Sequence, residues 1–454
     1  MTDLQNIKCA YFLGIGGIGM SAIARYFVSK GIEVAGYDKT PSALTHQLSS
    51  ENMSIHYDDN PEFIPRHVDL VVYTPAVPKS LAEYRYLENK NIPILKRSEV
   101  LGIISSSHFT IAVAGTHGKT SVSSLIAHIL HLAGKNVSAF IGGIMKNYHS
   151  NCIISKSTEI VVVEADEFDR SFLQLHPDIL VITAIDADHL DVYGNTTELE
   201  RSFKKLVGQL REGGKLVIEK SLEEQFREDK DSLTYGIEKS AEYKSLNAHI
   251  AKGFQVFDLL SGQESIKELH FSLPGDYNRK NAAAAFAVAE LMNVERETVR
   301  NALEDFKGVE RRFDIQLRNQ KVVYIDDYAH HPKELSACIN AVRTLFPDKK
   351  ITGVFQPHLY SRTRDFADGF ARSLEELDEA ILIPVYPARE DPIEGVSSKM
   401  IFEKMHLHKK YLFLKEELKE NLKNFDIEVL LTLGAGDIDR EVQPIKEMLQ
   451  EKYL

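Results

Sequence analysis

The chain has 454 residues, more than one hydrophobic core usually serves, so about three domains are expected. Its hydrophobic fraction of 43% and charged fraction of 26% are typical of a globular protein and predict neither a disordered nor a membrane-spanning chain. The net charge of -12, with basic and acidic residues interspersed, argues against a nucleic-acid-binding surface.

The N-terminal sequence and the cysteines indicate the cellular compartment. The first residues lack a basic segment followed by an apolar stretch, so no export signal is recognised and a cytoplasmic protein is expected. Cys9, Cys152 and Cys338 are widely spaced and form no C-x-x-C pair. They therefore predict buried thiols rather than a disulfide framework or a zinc site.

The first part of the chain alternates short apolar runs with helix-length segments. The runs at residues 9–15, 32–37 and 69–73 predict buried strands of a parallel sheet. A first domain over residues 1–105 fits this pattern.

A glycine cluster follows the first of these strands. Gly14, Gly16, Gly17 and Gly19 lie where a helix is predicted to begin, and Asp38 ends the second strand. This pattern matches the dinucleotide-binding fingerprint, in which a pyrophosphate lies at the helix N-terminus. The match alone is weak evidence for NAD, because a nucleotide sugar carries a pyrophosphate too.

A second set of strands, predicted to belong to a domain over residues 106–313, begins with FTIAVAG and continues at residues 159–166 and 178–189. The first strand leads into G-T-H-G-K-T, which is shorter than the usual G-x-x-x-x-G-K-[ST] loop. Its glycines let the backbone curl around a phosphate, Lys119 can reach the terminal phosphates and Thr120 can ligate magnesium. A plain glycine turn with a solvated lysine is the alternative.

Polar residues also end the next two strands, where ligands gather in an open α/β sheet. Glu164 can hold magnesium directly or through water. His189 is an unusual magnesium ligand, since imidazole suits softer metals, and from its residue type alone a capping role is preferred.

The last part of the chain, predicted as a domain over residues 314–454, again alternates strands and helices. The predicted fold is therefore α/β with three domains: a Rossmann-like N-terminal domain, a central P-loop ATPase domain with a mainly parallel sheet, and a Rossmann-like C-terminal domain. His330 and Arg362 follow strands of the third domain, which favours them over ordinary surface charges. Two phosphate-binding loops on separate domains suggest ATP and a second phosphorylated substrate.

With these residues in place, the chain resembles the Mur ligase family along essentially its whole length. The motifs occur in the family's order: GIGGIGMS, GTHGKTS, EADEFDRSF, DADHLD, NRKNAAAA, ERRFD, DDYAHHP, FQPH, YPARE and GAGD. The family's own loop is G-T-x-G-K-[ST], which explains the short spacing. The resemblance implies an ATP-dependent ligase that joins L-alanine to the lactyl carboxylate of UDP-N-acetylmuramate through an acyl phosphate, in peptidoglycan precursor synthesis. ATP is then a co-substrate and two Mg²⁺ ions are expected, with no nucleic-acid or membrane partner.

The same resemblance implies a role for individual residues. The ATP phosphates would bind Gly115, Thr116, His117, Gly118, Lys119 and Thr120. The rest of the nucleotide would meet Asn278 or Asn281, Arg311 or Arg312, and Asp326. The nucleotide sugar would bind Gly16, Gly17, Gly19, Met20, Ser21, Asp38, Thr74, Pro75, Ala76, Val77 and Ser171. Magnesium would bind Thr120, Glu164 and His189, and His330 and Arg362 would orient the alanine carboxylate and the acyl phosphate.

Two departures from the family pattern and four alternatives qualify this interpretation. Lys204 lies at the spacing where several sister ligases carry a carbamylated lysine that holds magnesium, but the alanine ligases do not use one and Lys204 is left unassigned. Leu359 stands where relatives often have an arginine after FQPH, which leaves Arg362 and Arg364 as the candidate anion contacts of that loop. The nearest alternative is the ligase that recycles a tripeptide onto the same nucleotide sugar, although GIGGIGMS favours alanine addition. A folylpolyglutamate-synthetase-like enzyme is a more distant alternative, and it would not need the first glycine loop. A nucleotide-binding regulator and an NAD-dependent dehydrogenase are the others.

Overall fold

The structure is a computed structural model that describes residues 4–186, 193–226, 232–388 and 390–453. The chain forms two compact units. The first contains Met1–Asn247, Asp258–Leu269 and Lys280–Lys307, and the second contains Ala248–Phe257, His270–Arg279 and Gly308–Leu454.

The N-terminal part of the first unit is a five-stranded sheet with helices between its strands. The strands are β1 (Cys9–Leu13), β2 (Glu33–Tyr37), β3 (Ser54–His56), β4 (Leu70–Tyr73) and β5 (Ile94–Lys96). They pair in parallel in the order β3-β2-β1-β4-β5. The helices are α1 (Ile18–Ser29), α2 (Ala43–Ser50), α3 (Ala82–Glu88) and α4 (Arg97–Ser106). The order reverses on the two sides of β1, and ligands of such sheets bind beyond the strand ends at that switch point.

A ten-stranded sheet follows in the chain. Its strands are β6 (Phe109–Ala114), β7 (Val137–Met145), β8 (Ser150–Ile153), β9 (Ile160–Ala165), β10 (Ile179–Ile182), β11 (Lys215–Glu219), β12 (Ser232–Gly236), β13 (Tyr243–Ala251), β14 (Phe254–Ser261) and β15 (Glu264–Phe271). Their order is β15-β14-β13-β12-β11-β10-β6-β9-β7-β8. The pairs from β9 through β6, β10 and β11 to β12 are parallel, whereas β7 and β8 pair antiparallel. The helices are α5 (Lys119–Leu132), α6 (Thr196–Val207), α7 (Glu223–Phe226), α8 (Asp276–Leu291) and α9 (Arg296–Asp305).

The second unit contains a six-stranded sheet. Its strands are β16 (Asp314–Arg318), β17 (Val323–Asp327), β18 (Ile351–Phe355), β19 (Glu379–Leu382), β20 (Lys410–Leu412) and β21 (Val429–Leu433), in the order β16-β17-β21-β18-β19-β20. Only the β16–β17 pair among these is antiparallel. The helices are α10 (Pro332–Leu345), α11 (Tyr360–Asp365), α12 (Ala367–Leu374), α13 (Ser398–Lys404), α14 (Leu418–Leu422) and α15 (Asp439–Tyr453). Short 3-10 turns lie at Leu4–Asn6, Pro61–Phe63, Phe168–Gln174, Lys220–Leu222 and Lys415–Glu417.

The central strands are buried on both faces, which is why the sequence shows them as continuous apolar runs. Every residue of β1, β17, β18 and β21 is buried. The three sheets lie at residues 9–96, 109–271 and 314–433, one in each predicted domain, so the predicted α/β fold with three domains is confirmed. The exact domain boundaries stay a prediction. Within the described ranges, none of the helices has both the length and the apolar character needed to cross a bilayer.

Candidate active site

The loop between β6 and α5 has the conformation that its two glycines allow. Gly115 has φ 139° and Gly118 has φ 82°, both in the left-handed region that favours glycine. A Cβ atom at Gly115 would overlap the Thr183 hydroxyl, and one at Gly118 would lie 3.1 Å from Asn281 Oδ1. The loop is thus packed against Thr183, directly after β10, and against Asn281 of α8, and it leads directly into the N-terminus of α5. Such an N-terminus attracts anions.

Lys119 is held across this loop by two oxygen acceptors. Its Nζ donates to the Gly115 carbonyl at 2.6 Å and lies 2.7 Å from Glu167 Oε2. The lysine side chain is 14% exposed and that of Glu167 is 1% exposed. Burial lowers the pKa of Lys119, but the nearby carboxylates of Glu167, Asp166 and Glu164 outweigh it, so the pKa is raised and the side chain stays charged. Glu167 is a residue that the sequence interpretation missed.

Thr120 and Glu164 meet beside the loop. The Thr120 hydroxyl donates to Glu164 Oε1 at 3.0 Å, and the Gly142 backbone N–H donates to Glu164 Oε2 at 2.8 Å. A Cβ at Gly142 would lie 2.5 Å from the Glu164 carboxylate, so any side chain at this position would clash with it. A hydroxyl and a carboxylate are hard oxygen ligands, and they fit Mg²⁺. His189, the third predicted metal ligand, lies outside the described residues, and among those described no group of three or more His, Cys, Asp or Glu side chains forms a metal site.

The glycine cluster of the first domain is held at the end of β1 by hydrogen bonds to the end of β2 and to Asp38. The backbone N–H groups of Gly14 and Ile15 donate to the Tyr37 carbonyl at 2.8 and 3.1 Å, and the Gly16 N–H donates to Asp38 Oδ2 at 2.8 Å. A Cβ at Gly14 would lie 2.8 Å from Thr74, so the Thr74–Val77 loop lies against the cluster. The structure therefore brings the predicted Gly16, Asp38 and Thr74 to one edge of the sheet.

Other members of the predicted nucleotide-sugar set have internal contacts. Met20 and Ser21 are buried, and their backbone N–H groups donate to the Gly17 carbonyl at 3.0 and 2.9 Å. The Ser21 hydroxyl donates to the Ile18 carbonyl at 2.9 Å. Ser171 lies in the 3-10 segment that follows β9, directly after two residues with left-handed φ, Asp169 and Arg170. Their binding roles stay predictions.

Arg97 is a second residue that the sequence interpretation missed. It is the first residue of α4, and an added Cβ at Gly19 would lie 2.5 Å from its Nη1 atom, so the guanidinium covers the glycine cluster. Its Nη2 atom lies 3.5 Å from Asp166 Oδ2 of the loop after β9. The guanidinium thus lies between the glycine cluster and the loop that follows β9. Lys96 ends β5 and Arg97 follows it directly, but β5 was not predicted from the sequence, so the rule that ligands gather at strand ends could not be applied there.

In the second unit, two arginines pack on the Tyr328 ring, and two aspartates precede Tyr328 in the chain. The guanidinium groups of Arg311 and Arg312 lie 5.1 and 4.9 Å from the Tyr328 ring centre. Arg311 Nε lies 3.3 Å from Asp326 Oδ2, and burial raises the pKa of Asp326 although Arg311 and Thr432 oppose the rise. Burial also raises the pKa of Asp327 to about 6. The predicted Arg311, Arg312 and Asp326 are therefore neighbours.

The two histidines of DDYAHHP differ in their surroundings. His331 is buried, caps α10 by accepting the Lys333 N–H at 3.3 Å, and packs on Phe366. The His330 ring lies 6.2 Å from the His358 ring, and the His358 Nδ1 atom lies 3.4 Å from Arg362 Nη1. The second unit thus groups His330, His358 and Arg362, and this contrast favours His330 as the residue that faces a substrate.

Three further observations concern predicted residues. Asn278 is buried and donates to the Pro274 carbonyl at 2.8 Å in the second unit, whereas Asn281 lies beside Gly118 in the first.

His117 Nε2 lies 3.4 Å from Asp186 Oδ2, and the Thr116 hydroxyl accepts the Asp186 N–H at 3.1 Å. Leu359, which departs from the family pattern, has φ 68° and is buried.

Comparison with known proteins places the whole chain in one family. The model described as Mur ligase family, catalytic domain, matches residues 10–109; the Mur ligase middle domain matches 113–289; and the Mur ligase, glutamate ligase domain matches 311–436. The chain belongs to the Mur ligase family.

Relatives of this Mur ligase are similar over their full lengths. It is 48% identical to the UDP-N-acetylmuramate–L-alanine ligases of Flavobacterium johnsoniae and Flavobacterium psychrophilum, over 99% of this chain and 99% and 100% of the relatives. The crystal structure of UDP-N-acetylmuramate-alanine ligase from Thermotoga maritima superposes with a TM-score of 0.84 at 30% identity, covering 97% of this chain and 99% of that one. The murein peptide ligase of Psychrobacter arcticus, with a TM-score of 0.70 at 20% identity over 98% of this chain and 99% of that one, shares the fold.

Proposed function

We propose that this Mur ligase uses ATP to join L-alanine to the lactyl carboxylate of UDP-N-acetylmuramate in peptidoglycan precursor synthesis. The observation that carries the proposal is full-length similarity to ligases of that name, at 43–48% identity, together with a phosphate loop whose lysine is held charged beside it. The tripeptide ligase, regulator and dehydrogenase alternatives have no comparable support.

The reaction needs a leaving group, because a carboxylate is a poor acyl donor at neutral pH. The lactyl carboxylate attacks the γ-phosphorus of ATP and ADP leaves, which gives an acyl phosphate. The neutral amine of L-alanine then attacks the acyl carbon, loses a proton and releases phosphate as the amide forms. Charge moves onto phosphate oxygens in both steps, so cations fixed nearby stabilise the transition states.

Different residues of the first unit bind the ATP phosphates, the nucleotide sugar and the magnesium ion. Lys119 and the loop N–H groups bind the ATP phosphates, and the glycine cluster with Asp38 binds the uridine diphosphate. Thr120 and Glu164 hold Mg²⁺, which supplies charge neutralisation on the phosphates when bound. Arg97, from its place between Gly19 and Asp166, neutralises charge where the two phosphate sites approach.

The second unit supplies the groups that recognise the amino acid. His330 and Arg362 orient the carboxylate of L-alanine and the acyl phosphate, and Arg311, Arg312 and Asp326 contact the nucleotide. A guanidinium recognises a carboxylate through paired hydrogen bonds, which an ammonium does not provide.

The central test is phosphate release from purified protein with ATP, Mg²⁺, UDP-N-acetylmuramate and an amino acid. We expect release only when all four are present, and L-alanine to give the highest kcat/KM among L-alanine, glycine, L-serine, L-glutamate and the tripeptide. Preference for the tripeptide would replace this proposal with the recycling activity. Binding of NAD in place of the nucleotide sugar would instead favour the dehydrogenase.

Substitution of Arg97 tests its assignment. We expect Arg97→Ala to lower kcat/KM for UDP-N-acetylmuramate by about 10- to 100-fold, since a hydrogen bond to a charged group contributes roughly 1.5–3 kcal/mol. The matched control is Lys96→Ala, the neighbouring cation, whose contact is with Asp169 at 3.2 Å. Asp166→Asn separates a direct role of Arg97 from one through its carboxylate partner. An equal loss in Asp166→Asn and Arg97→Ala would show that Arg97 acts through Asp166.

A further inference from the structure

A buried polar chain connects helix α1 to strand β8. Asn151, in β8, has 0% of its surface exposed. Its Nδ2 atom donates to the Ile18 carbonyl and to Ser21 Oγ, the latter at 2.9 Å. Its Oδ1 atom accepts from Arg25 Nη1 at 2.5 Å. One amide therefore contacts three residues of the same helix.

The contacts fall on one face of α1. Ile18, Ser21 and Arg25 are spaced by three and four residues, so they lie one above another on the surface of the helix that faces β8. Arg25 is in turn held by both oxygens of Glu51, from Nε at 2.7 Å and from Nη2 at 2.9 Å. The guanidinium is thus fixed by Glu51 through Nε and Nη2 and donates from Nη1 to Asn151.

The first turn of α1 is also the part of the helix that is predicted to meet the diphosphate. Gly17 is the N-cap and Ile18 the first helical residue. The unpaired N–H groups at such a helix start point toward a bound anion, and their aim depends on where the first turn is held. Asn151 contacts that turn twice, through the Ile18 carbonyl and the Ser21 hydroxyl, from a strand of the ATP-binding sheet.

We infer that Asn151 is a positioning residue for the nucleotide sugar: by donating to Ile18 and Ser21 it fixes the diphosphate-binding turn of α1 relative to the sheet that carries the phosphate loop. This inference rests on the proposed function. It also explains why an amide is suited to the position, since the site needs a donor toward α1 and an acceptor toward Arg25 on one short side chain.

Asn151→Asp separates the two halves of the amide. The carboxylate of the variant still accepts from Arg25 and adds a negative charge. It cannot donate, however, so one of its oxygens would face the Ile18 carbonyl oxygen without a hydrogen bond. We expect the dissociation constant and KM for UDP-N-acetylmuramate to rise about tenfold or more, because small displacements of binding groups have large effects, while KM for ATP changes by less than about twofold. Isothermal calorimetry with UDP-N-acetylmuramate and steady-state kinetics measure both.

Glu51→Gln is the matched control. This substitution weakens the hydrogen bonds between Glu51 and Arg25 but leaves the contacts of Asn151 with the first turn of α1 in place. We therefore expect a lower melting temperature and an unchanged affinity for UDP-N-acetylmuramate. If Asn151→Asp fails to fold, Asn151→Ala removes both donors and leaves Arg25 paired with Glu51, and a rise of about threefold or more in the dissociation constant is expected.

The outcomes separate this inference from the proposed function. Wild-type protein that does not bind UDP-N-acetylmuramate would overturn the proposed function. If the wild-type protein binds UDP-N-acetylmuramate and a folded Asn151 variant binds it with the same affinity, the inference alone is overturned. A lower melting temperature without loss of affinity would show that Asn151 only stabilises the fold.

Discussion

Replacing Lys119 with methionine or alanine is expected to reduce turnover by about 10³-fold or more, because the ammonium supplies positive charge where phosphate oxygens gain negative charge. Methionine keeps most of the volume of the lysine stem and removes only the charge. Equal losses in the two variants would therefore assign the effect to charge rather than to packing. Phosphate release at saturating substrates, together with circular dichroism to verify the fold, provides the measurement.

The partner of Lys119 gives this experiment a second readout. Glu167 is buried and lies 2.7 Å from the lysine Nζ, so Lys119→Met leaves a buried carboxylate without this cation. Removing one partner of a buried pair costs about 3–5 kcal/mol in the free energy of unfolding. We expect Lys119→Met/Glu167→Gln to regain much of that stability and none of the turnover. Turnover within about tenfold of wild type in Lys119→Met would remove the loop from the mechanism.

The strands that carry the phosphate loops could be predicted because they are buried on both faces. Residues 9–15, 159–166 and 178–189 were predicted as strands, and the structure has Cys9–Leu13, Ile160–Ala165 and Ile179–Ile182. The first predicted strand extends beyond β1 because Gly14 and Ile15 continue the apolar run after the last ladder pair. Residues 187–189 of the third predicted strand lie outside the described residues. The motif NRKNAAAA lies in a helix that spans Asp276–Leu291.

Strands that alternate polar and apolar residues were not recognised. Tyr243–Ala251, YKSLNAHIA, is partly or fully exposed at all but one residue, and neither it nor Phe254–Ser261 shows a continuous apolar run. Their pairing depends on neighbouring strands rather than on local composition. Val137–Met145 and Ser150–Ile153 were missed as well, although the latter carries Asn151.

The site residues divide in the same way. Lys119, Thr120 and Glu164 lie in motifs whose spacing carries chemical meaning, so their proximity could be expected. Glu167 and Arg97 differ from other charged residues only in what they contact, and contacts across 48 and 69 positions of the chain are invisible without the fold. The left-handed φ of Leu359 could not be predicted from the sequence either.

Replacing Thr120 tests the magnesium site. Thr120→Val keeps the shape of the side chain and removes the hydroxyl, whereas Thr120→Ser keeps the hydroxyl. We expect the Mg²⁺ concentration for half-maximal turnover to rise about tenfold in Thr120→Val, which is ~1.4 kcal/mol, and to stay near the wild-type value in Thr120→Ser. Glu164→Gln should raise it further, since the carboxylate contributes charge as well as a ligand atom.

The double variant decides whether the two side chains hold one ion. The Thr120 hydroxyl and Glu164 Oε1 are 3.0 Å apart, so they are close enough to act on the same Mg²⁺. Once either ligand is lost, the ion is already weakly held and loss of the other costs less, so the effects of Thr120→Val and Glu164→Gln on half-maximal Mg²⁺ should combine to less than their product. Effects that multiply fully would mean that the two residues act independently. An unchanged Mg²⁺ requirement in both single variants would place the ion on other ligands and leave the hydrogen bond as a structural contact between α5 and β9.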